Sequence, residues 1–590
     1  MRTVQVSAMR DSGANTMPAH EATNTVRRTL IGLGVFSFFI NLLMLTGPLY
    51  MLQVYDRVLA SGSVPTLVSL TLLILVMYGT LAVLDWIRQS LFAIVGARFE
   101  DQLADDSMSV TLQNNLNDPG RPSQEPLQDL RTIRRFLASP SLCSLFDLPW
   151  SPMFFLALFI LHLIFGLWAG VGGAVLAGLA LLNRATTQEV LKATEKLDRE
   201  TQMHANEISR NVEILEAMGM RSGLTARWRD KLDQADGAQR RASTTMSGFS
   251  ASTKSSRLFM QSAILGLGAW LTIIGQSTAG AMIAASIIMG RAIAPIEQII
   301  GQWQNVSNAR RAWTSLNQFL SDLAPATPPM LLPEIQGRIS LSNVSAGPPG
   351  ADKPVLKQVS LDISPGDVVG VIGPSAGGKT TLAKVVIGVW PARIGEVRID
   401  GADVRALPRD VLGPQLGYLP QQVDLLAGTV QENIARFSDD ADANAVIAAA
   451  KEASCHELIL ELPNGYDTEI GAGGAYLSAG QRQRIGLARA LFGNPKLIVL
   501  DEPNSNLDSP GDEALNVAIA NLKKRGATTL IIAHRPNAIV HCNKVVVLDK
   551  GQVKAFGPRD EILASLTQSW DQKNTITPIR QGGSVAEKGS

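Results

Sequence analysis

The sequence predicts a two-part molecule, an α-helical membrane domain of six transmembrane helices followed by an α/β domain built on a glycine-rich loop. Three observations predict it. The long runs free of charged residues lie before residue 305. A two-glycine loop ending in lysine and threonine, Gly373 to Thr380, follows the apolar run Val368–Ile372. After Pro333, short β-rich runs alternate with helical segments. At 590 residues the chain is long enough for several domains, and its 46 % hydrophobic content and mean hydropathy of +0.12 average two unlike halves. A net charge of +1 gives no case for a nucleic-acid partner. Cys143, Cys455 and Cys542 are far apart and lack metal-ligand or CxxC spacing, so they read as reduced structural thiols.

Residues 1–28 are polar and lack the apolar core of a signal peptide, and are expected to form a disordered cytoplasmic tail. The membrane domain then spans 29–325. Leu30–Val54 and Val64–Leu84 are charge-free and each long enough, at ~1.5 Å per residue, to cross a ~30 Å hydrocarbon layer. The short link Asp56–Ser63 makes them a hairpin, and Pro48 is expected to kink the first. Leu148–Asn183 and Leu258–Gly290 are each long enough for two spans, with Gly166 and Gln276–Gly280 as the expected turns. The segments 86–147 and 184–257 hold most of the Lys and Arg of this half, which places them and both termini in the cytoplasm. They read as helical extensions of the spans. Their tips, near Asn117–Leu130 and Asn211–Met220, are either contact elements for the ATPase or solvated hairpins. Arg291 and Glu297, beside Pro295, either line a polar pathway or lie at the interface.

Ala324–Pro329 reads as a proline-rich linker, the ATPase domain as 333–566 and residues 567–590 as a disordered tail. Within the loop Gly373, Pro374, Ser375, Ala376, Gly377, Gly378, Lys379 and Thr380, the backbone N–H groups and the start of the helix Thr381–Val389 favour anionic phosphate oxygens. Lys379 would reach the β- and γ-phosphates of ATP, and the Thr380 hydroxyl would ligand Mg2+. Lys496–Glu502 reads as a buried strand ending in two carboxylates, with Asp501 toward the metal and Glu502 as the base that deprotonates an attacking water. A third apolar strand, Thr529–Ala533, delivers His534 to the same sheet edge, within reach of a γ-phosphate. Ser478 and the amides near Gly480 precede a helical run and form another phosphate-ready helix start.

Taken in order, the loop Gly373–Thr380, Gln421 after Tyr418-Leu419-Pro420, Leu477-Ser478-Ala479-Gly480-Gln481, Asp501-Glu502, Ser505-Asn506-Leu507-Asp508 and His534 resemble the Walker A, Q-loop, signature, Walker B, D-loop and switch motifs of an ABC-transporter nucleotide-binding domain. The implied fold is a six-helix membrane domain of the ABC exporter type fused to an α/β P-loop ABC ATPase domain. The resemblance implies a head-to-tail homodimer in which Gly373–Thr381 of one subunit and Ser478–Gln481, with Asp508, of the other enclose ATP, and in which Gln421 joins Thr380 and Asp501 at Mg2+. Three positions depart from the family pattern: Ala479 replaces a usual glycine, Pro348 stands where an aromatic usually stacks on adenine, and Ala472 replaces a glutamate common in exporters. Backbone amides do the binding at Ala479, and a negative φ there would tolerate alanine.

The stretches Leu45–Leu59, Ser61–Leu67, Phe146–Pro152 and Glu216–Met220 resemble the type I secretion permease/ATPases of the protease-exporter, PrtD-like, family, from about residue 25 to 565. That resemblance implies a multi-pass protein of the bacterial inner membrane that joins a periplasmic membrane-fusion adaptor and a TolC-like outer-membrane channel. The cargo it implies is an unfolded polypeptide with a C-terminal signal. The alternatives are a homodimeric lipid or drug exporter, and a soluble or regulatory ABC ATPase, against which the six spans and the intact Glu502 and His534 argue. The stretch before Leu30 is too short for a fused peptidase domain, so none is expected.

Overall fold

The computed structural model describes residues 19–119, 123–321, 335–534 and 536–565, in two compact units. The linker Ala324–Pro329, Pro333, residues 1–18 and the segment 567–590 lie outside them.

The first unit is helical. Its helices are α1 (Ala19–Leu43), α2 (Thr46–Gln53), α3 (Leu59–Ser61), α4 (Val64–Asn117), α5 (Glu125–Leu137), α6 (Pro140–Asp147), α7 (Ser151–Leu161), α8 (Leu163–Arg210), α9 (Val212–Ala217), α10 (Arg221–Ile273), α11 (Ala279–Gly301) and α12 (Trp303–Ser321). Helix α1 starts inside the stretch expected to be a disordered tail. The break at Met44–Leu45 has a local cause: Pro48 lacks an N–H and its ring would meet the carbonyl of Met44, so the first span is interrupted one turn before the proline. A π-helical turn, Val54–Val58, then follows α2.

Five stretches of the described residues are long and apolar enough to cross a membrane. The sixth expected span is the end of α10 from Leu258, where Gln261, Ser262 and two glycines dilute the hydropathy of an otherwise charge-free run. It turns back at Ile274–Thr278 into α11, as Gln276–Gly280 predicted. The other predicted turn is misplaced. The chain breaks at His162 (φ −166°, ψ 140°), whose Nδ1 accepts from Ile164 N at 3.2 Å and caps α8. Gly166 is buried inside α8, where a Cβ would lie 2.2 Å from the Phe159 ring, so this glycine serves the approach of α7 and α8 and not a turn.

Polar groups join the spans. Arg88 on α4, 3 % exposed, pairs with Asp85 and with Asp147 at the end of α6 (2.6 Å), while Asn41 of α1 donates to the same Asp147 oxygen at 2.7 Å. Asp56 accepts from Thr278 Oγ1 (2.7 Å) and Gly280 N (3.0 Å), capping α11 from the end of the first span. Glu297 pairs with Arg257 of α10 at 2.6 Å, and Arg291 is exposed. The long charged segments between the spans are helical as expected, with α9 at the tip between α8 and α10.

The second unit holds two sheets. Strands β1 (Ile339–Ala346), β2 (Leu356–Ile363), β4 (Ile394–Ile399) and β5 (Ala402–Asp403) form an antiparallel sheet in the order β2-β1-β4-β5. The larger sheet has the order β10-β9-β3-β8-β7-β6, from β3 (Val368–Ile372), β6 (Leu416–Leu419), β7 (Leu497–Asp501), β8 (Thr528–Ile532), β9 (Lys544–Asp549) and β10 (Gln552–Pro558). Within it β9, β3, β8, β7 and β6 are parallel and β10 is antiparallel to β9. The remaining helices are α13 (Lys379–Val386), α14 (Arg409–Gln415), α15 (Val430–Ile434), α16 (Ala443–Glu452), α17 (His456–Leu460), α18 (Ala479–Leu491) and α19 (Ser509–Arg525).

Both faces of the large sheet are covered, which is why its strands read as continuous apolar runs. Val368, Ile498, Leu500 and Ile531 pack with α16, α18 and α19 on one face. Val369, Val371, Leu497, Val499, Leu530 and Ile532 pack with α13 and the antiparallel sheet on the other. Cys455 and Cys542 are buried in the first of these cores, and all three cysteines are free thiols. Since parallel strands point the same way, the ends of β3, β6, β7 and β8 share one edge, and the segments leaving them are brought together there.

Candidate functional site

The phosphate loop leaves β3 and enters α13 at Gly378, which acts as the helix N-cap with φ 100°. Glycine is required at Gly373, where φ is 152° and a Cβ would lie 1.9 Å from the Leu548 carbonyl oxygen. Ala376 tolerates φ 60° within the turn, and Pro374 and Ser375 complete it. The Lys379 ammonium bridges back across the loop, donating to the Gly373 and Pro374 carbonyls at 2.9 Å each. Burial lowers its pKa, partly offset by the nearby Glu502 and Asp501. These carbonyl bonds hold the loop open in the shape of an anion cradle. Thr381 is buried in the first turn of α13, next to the exchangeable hydroxyl of Thr380.

Asp501 ends β7 with no exposed surface. Its Oδ1 accepts from Thr380 Oγ1 over a long 3.4 Å, and its Oδ2 is buried without a hydrogen-bond partner. Burial pushes this carboxyl up to about 6, opposed by the Thr380 hydroxyl and reinforced by Glu502. An orphaned carboxylate oxygen beside a threonine hydroxyl is a donor set for a hard cation, so the residues fit Mg2+. Here Mg2+ would be held by Thr380 and Asp501, and its chemistry is to neutralise phosphate charge.

Glu502 departs from the expected strand geometry. The strand stops at Asp501, and Glu502 adopts φ 50°, in the left-handed region. That turn, and not strand alternation, separates the two carboxylates. Glu502 Oε1 lies 2.8 Å from His534 Nε2, and Oε2 accepts from Gln421 Nε2 at 3.1 Å. Thus segments following β6, β7 and β8 each place one functional side chain in a single cluster beside the loop from β3.

Three predicted groups have their contacts outside this cluster. Ser478 is the N-cap of α18, with its hydroxyl oxygen accepting from Gln481 N (3.2 Å) and Gln481 Oε1 accepting from Ser478 N (2.8 Å). The Ser478 proton stays free to donate outward. Ala479 is the first helical residue and carries no positive φ, so the missing glycine costs the helix start nothing; Gly480 follows in the same turn. Asp508 caps α19 by accepting from Gly511 N at 3.0 Å and pairs with Arg484 at 3.1 Å. Pro348 is half-buried in the loop after β1, whose carbonyls at Pro348, Ala351 and Asp352 are gathered by Arg393. Ala472–Gly474 form a short 3-10 turn capped by Gly471, with glycines at positive φ on either side of position 472.

Gln483 was not signalled by the sequence. It lies two residues past the signature stretch, in a helix of polar and charged neighbours that gives no hint of burial, yet it is 2 % exposed and bonded to the segment 502–506.

A phosphate loop, a buried metal-ready carboxylate, an adjacent glutamate and a histidine on one parallel sheet edge, joined in sequence to apolar helices, define an ATP-driven membrane transporter of the ATP-binding cassette class. The ABC transporter model matches residues 356–505, and the ABC transporter transmembrane region model matches residues 30–295. The chain is 41 % identical over 97 % of its length, and 98 % of the relative's, to the type I secretion system ATP-binding protein PrsD of Rhizobium meliloti (strain 1021). It is 30 % identical over 91 % of its length to the leukotoxin export ATP-binding protein LtxB of Aggregatibacter actinomycetemcomitans, covering 76 % of that protein. A solved bacterial Atm1-family ABC exporter with ATP bound shares its fold at TM-score 0.80, with 21 % identity over 94 % of this chain and 99 % of that one. The chain belongs to the ABC transporters and, within them, to the type I secretion ATP-binding proteins. It is a multi-pass membrane protein that hydrolyses ATP to drive export.

Proposed function

We propose that this protein is the homodimeric inner-membrane engine of a type I secretion system, with its ATPase domain in the cytoplasm, and that it exports unfolded polypeptides bearing a C-terminal signal. The observation that carries this reading is 41 % identity, sustained over 97 % of the chain, to a type I secretion ATP-binding protein. Identity of that extent includes the membrane half as well as the ATPase half. One periplasmic adaptor and one outer-membrane channel would complete the path.

The site residues divide the work. Lys379 and the amides of Gly373–Thr381 would bind the phosphates, Thr380, Asp501 and Gln421 would hold Mg2+, and Glu502 would take the proton of the attacking water. The imidazole of His534, 2.8 Å from Glu502, orients that carboxylate and would contact the γ-phosphate. In a head-to-tail dimer, Ser478 and the amides of Ala479, Gly480 and Gln481 would close on the partner's nucleotide, with Asp508 beside them and Pro348 under the base.

The test is secretion into the medium from cells carrying this protein, an adaptor, an outer channel and a candidate cargo, with and without the cargo's C-terminal segment. Secretion should require all components and the segment. Equal secretion of the truncated cargo would refute signal recognition, and transport of lipid by the purified protein alone would replace the polypeptide reading.

A further inference from the structure

Beyond the motif residues, one polar side chain is buried against the reacting edge. Gln483 of α18 donates through Nε2 to the main-chain carbonyl of Glu502 at 3.3 Å and to that of Pro503. Its Oε1 accepts from Asn506 N at 3.0 Å, and Ser505 Oγ lies 3.5 Å from Nε2. A buried amide spends both its donor and its acceptor on the five residues that follow β7. An apolar side chain of that size would take this partner from the Pro503 carbonyl and the Asn506 N–H, while the Glu502 carbonyl would keep only Ser505 N.

The segment it holds is the strained one. Glu502 sits at φ 50°, a conformation that residues with a side chain keep only when their surroundings impose it. On its N-terminal side the Glu502 N–H donates to the Ile532 carbonyl at 3.0 Å, which ties it to the sheet. On its C-terminal side the Glu502 carbonyl closes a turn by accepting from Ser505 N at 3.2 Å, and Gln483 ties that turn, through the Glu502 and Pro503 carbonyls and Asn506 N, to α18. With the backbone fixed at both ends, the carboxylate is aimed between Gln421 and His534.

We propose that Gln483 is the positioning residue of Glu502, holding from α18 the left-handed turn that points the carboxylate at its place of work. Because α18 begins at Ser478, the same amide ties the helix that would engage the partner's nucleotide to the base serving this subunit's own. The inference rests on the reading of Glu502 as general base.

The experiment measures steady-state hydrolysis, equilibrium binding of trinitrophenyl-ATP and the thermal midpoint for the purified full chain and for Gln483→Leu, Gln483→Glu and Glu502→Gln. Gln483→Leu should lower kcat about tenfold to a hundredfold while nucleotide affinity stays within about threefold, the split expected when only transition-state geometry is lost. Gln483→Glu keeps an acceptor for Asn506 N but loses the amide donor, so it should lose kcat as well, with its thermal midpoint nearer that of the parent. A kcat for either variant within about twofold of the parent, with Glu502→Gln inactive, would overturn the proposal. A fall in nucleotide affinity as large as the fall in kcat would also overturn it, by showing a general disturbance of the domain. Full turnover by Glu502→Gln would instead remove the underlying reading of the base.

Discussion

Replacing Glu502 by glutamine isolates the general base from everything else the residue does. The amide has the shape of the carboxylate and the same backbone demand at φ 50°, so the turn after β7 should survive. One oxygen remains as an acceptor, but the other position becomes an NH2 group that faces either the Gln421 amide, 3.1 Å away in the parent, or His534, 2.8 Å away. That donor-to-donor encounter can relax because the His534 side chain is 38 % exposed. What cannot be replaced is the proton acceptor. General-base catalysis contributes about 10²-fold or more, equivalent to about 2.7 kcal/mol of barrier. Nucleotide binding should persist, since Lys379 and Thr380 keep their partners. Phosphate release should therefore fall by about a hundredfold or more while a fluorescent ATP analogue still binds, and dimers with trapped ATP should accumulate on gel filtration. Turnover within threefold of the parent would place the nucleophile's activation elsewhere and refute this account of the cluster.

Gly373→Ala should abolish ATP binding and lower the thermal midpoint, because a Cβ at φ 152° would sit 1.9 Å from a backbone carbonyl oxygen that cannot move aside; normal nucleotide affinity would contradict it. With Pro348 in place of an aromatic platform, GTP should support turnover, and Pro348→Tyr should raise the ATP preference by a factor corresponding to about 0.5–1.5 kcal/mol of stacking, read as a ratio of kcat/KM. Asp501 should oppose stability in the nucleotide-free protein. Its folded value of about 6 exceeds the ordinary 3.8, so the folded state binds more protons across that window, and stability falls as pH rises through it. A neutral side chain removes that loss: Asp501→Asn should stabilise the nucleotide-free protein at pH 7.5 by up to about 3 kcal/mol, while ending both turnover and the stabilisation conferred by Mg2+ with ATP. A lower melting temperature for the variant at that pH would contradict the sign.

The ATPase half was legible because its strands are buried on both faces and its functional groups sit at strand ends. A continuous apolar run such as Leu497–Leu500 then marks both the sheet and the place where the carboxylates emerge. The spans were legible for a related reason, since lipid tolerates no charge over their length. Their breaks were less so. A proline announces an interruption, as Pro48 did, but the turn at His162 lies in a charge-free run where helix-helix approach and turn formation compete for the same glycines. Gly166 went to packing. The ion pair of Arg88 with Asp147 was beyond reach, because it joins residues 59 apart whose meeting depends on the packing of three helices.

The departures from the family pattern separate by whether a position acts through its backbone or through its side chain. At Ala479 the work is done by amides at a helix start, and a methyl group alters neither φ nor the direction of the N–H bonds, so the sequence change is silent in the fold. Glu502 shows the reverse case. Its backbone conformation is one that glycine would enter freely, yet the carboxylate is indispensable to the proposed chemistry, so the chain keeps the glutamate and supplies restraint from Ile532 and Gln483. A position under both demands needs partners that neither motif nor periodicity reveals. This is why the strongest signals in the sequence, the loop and the two carboxylates, identify the chemistry, while the residue that aims the base emerges only when α18 and the end of β7 are seen side by side.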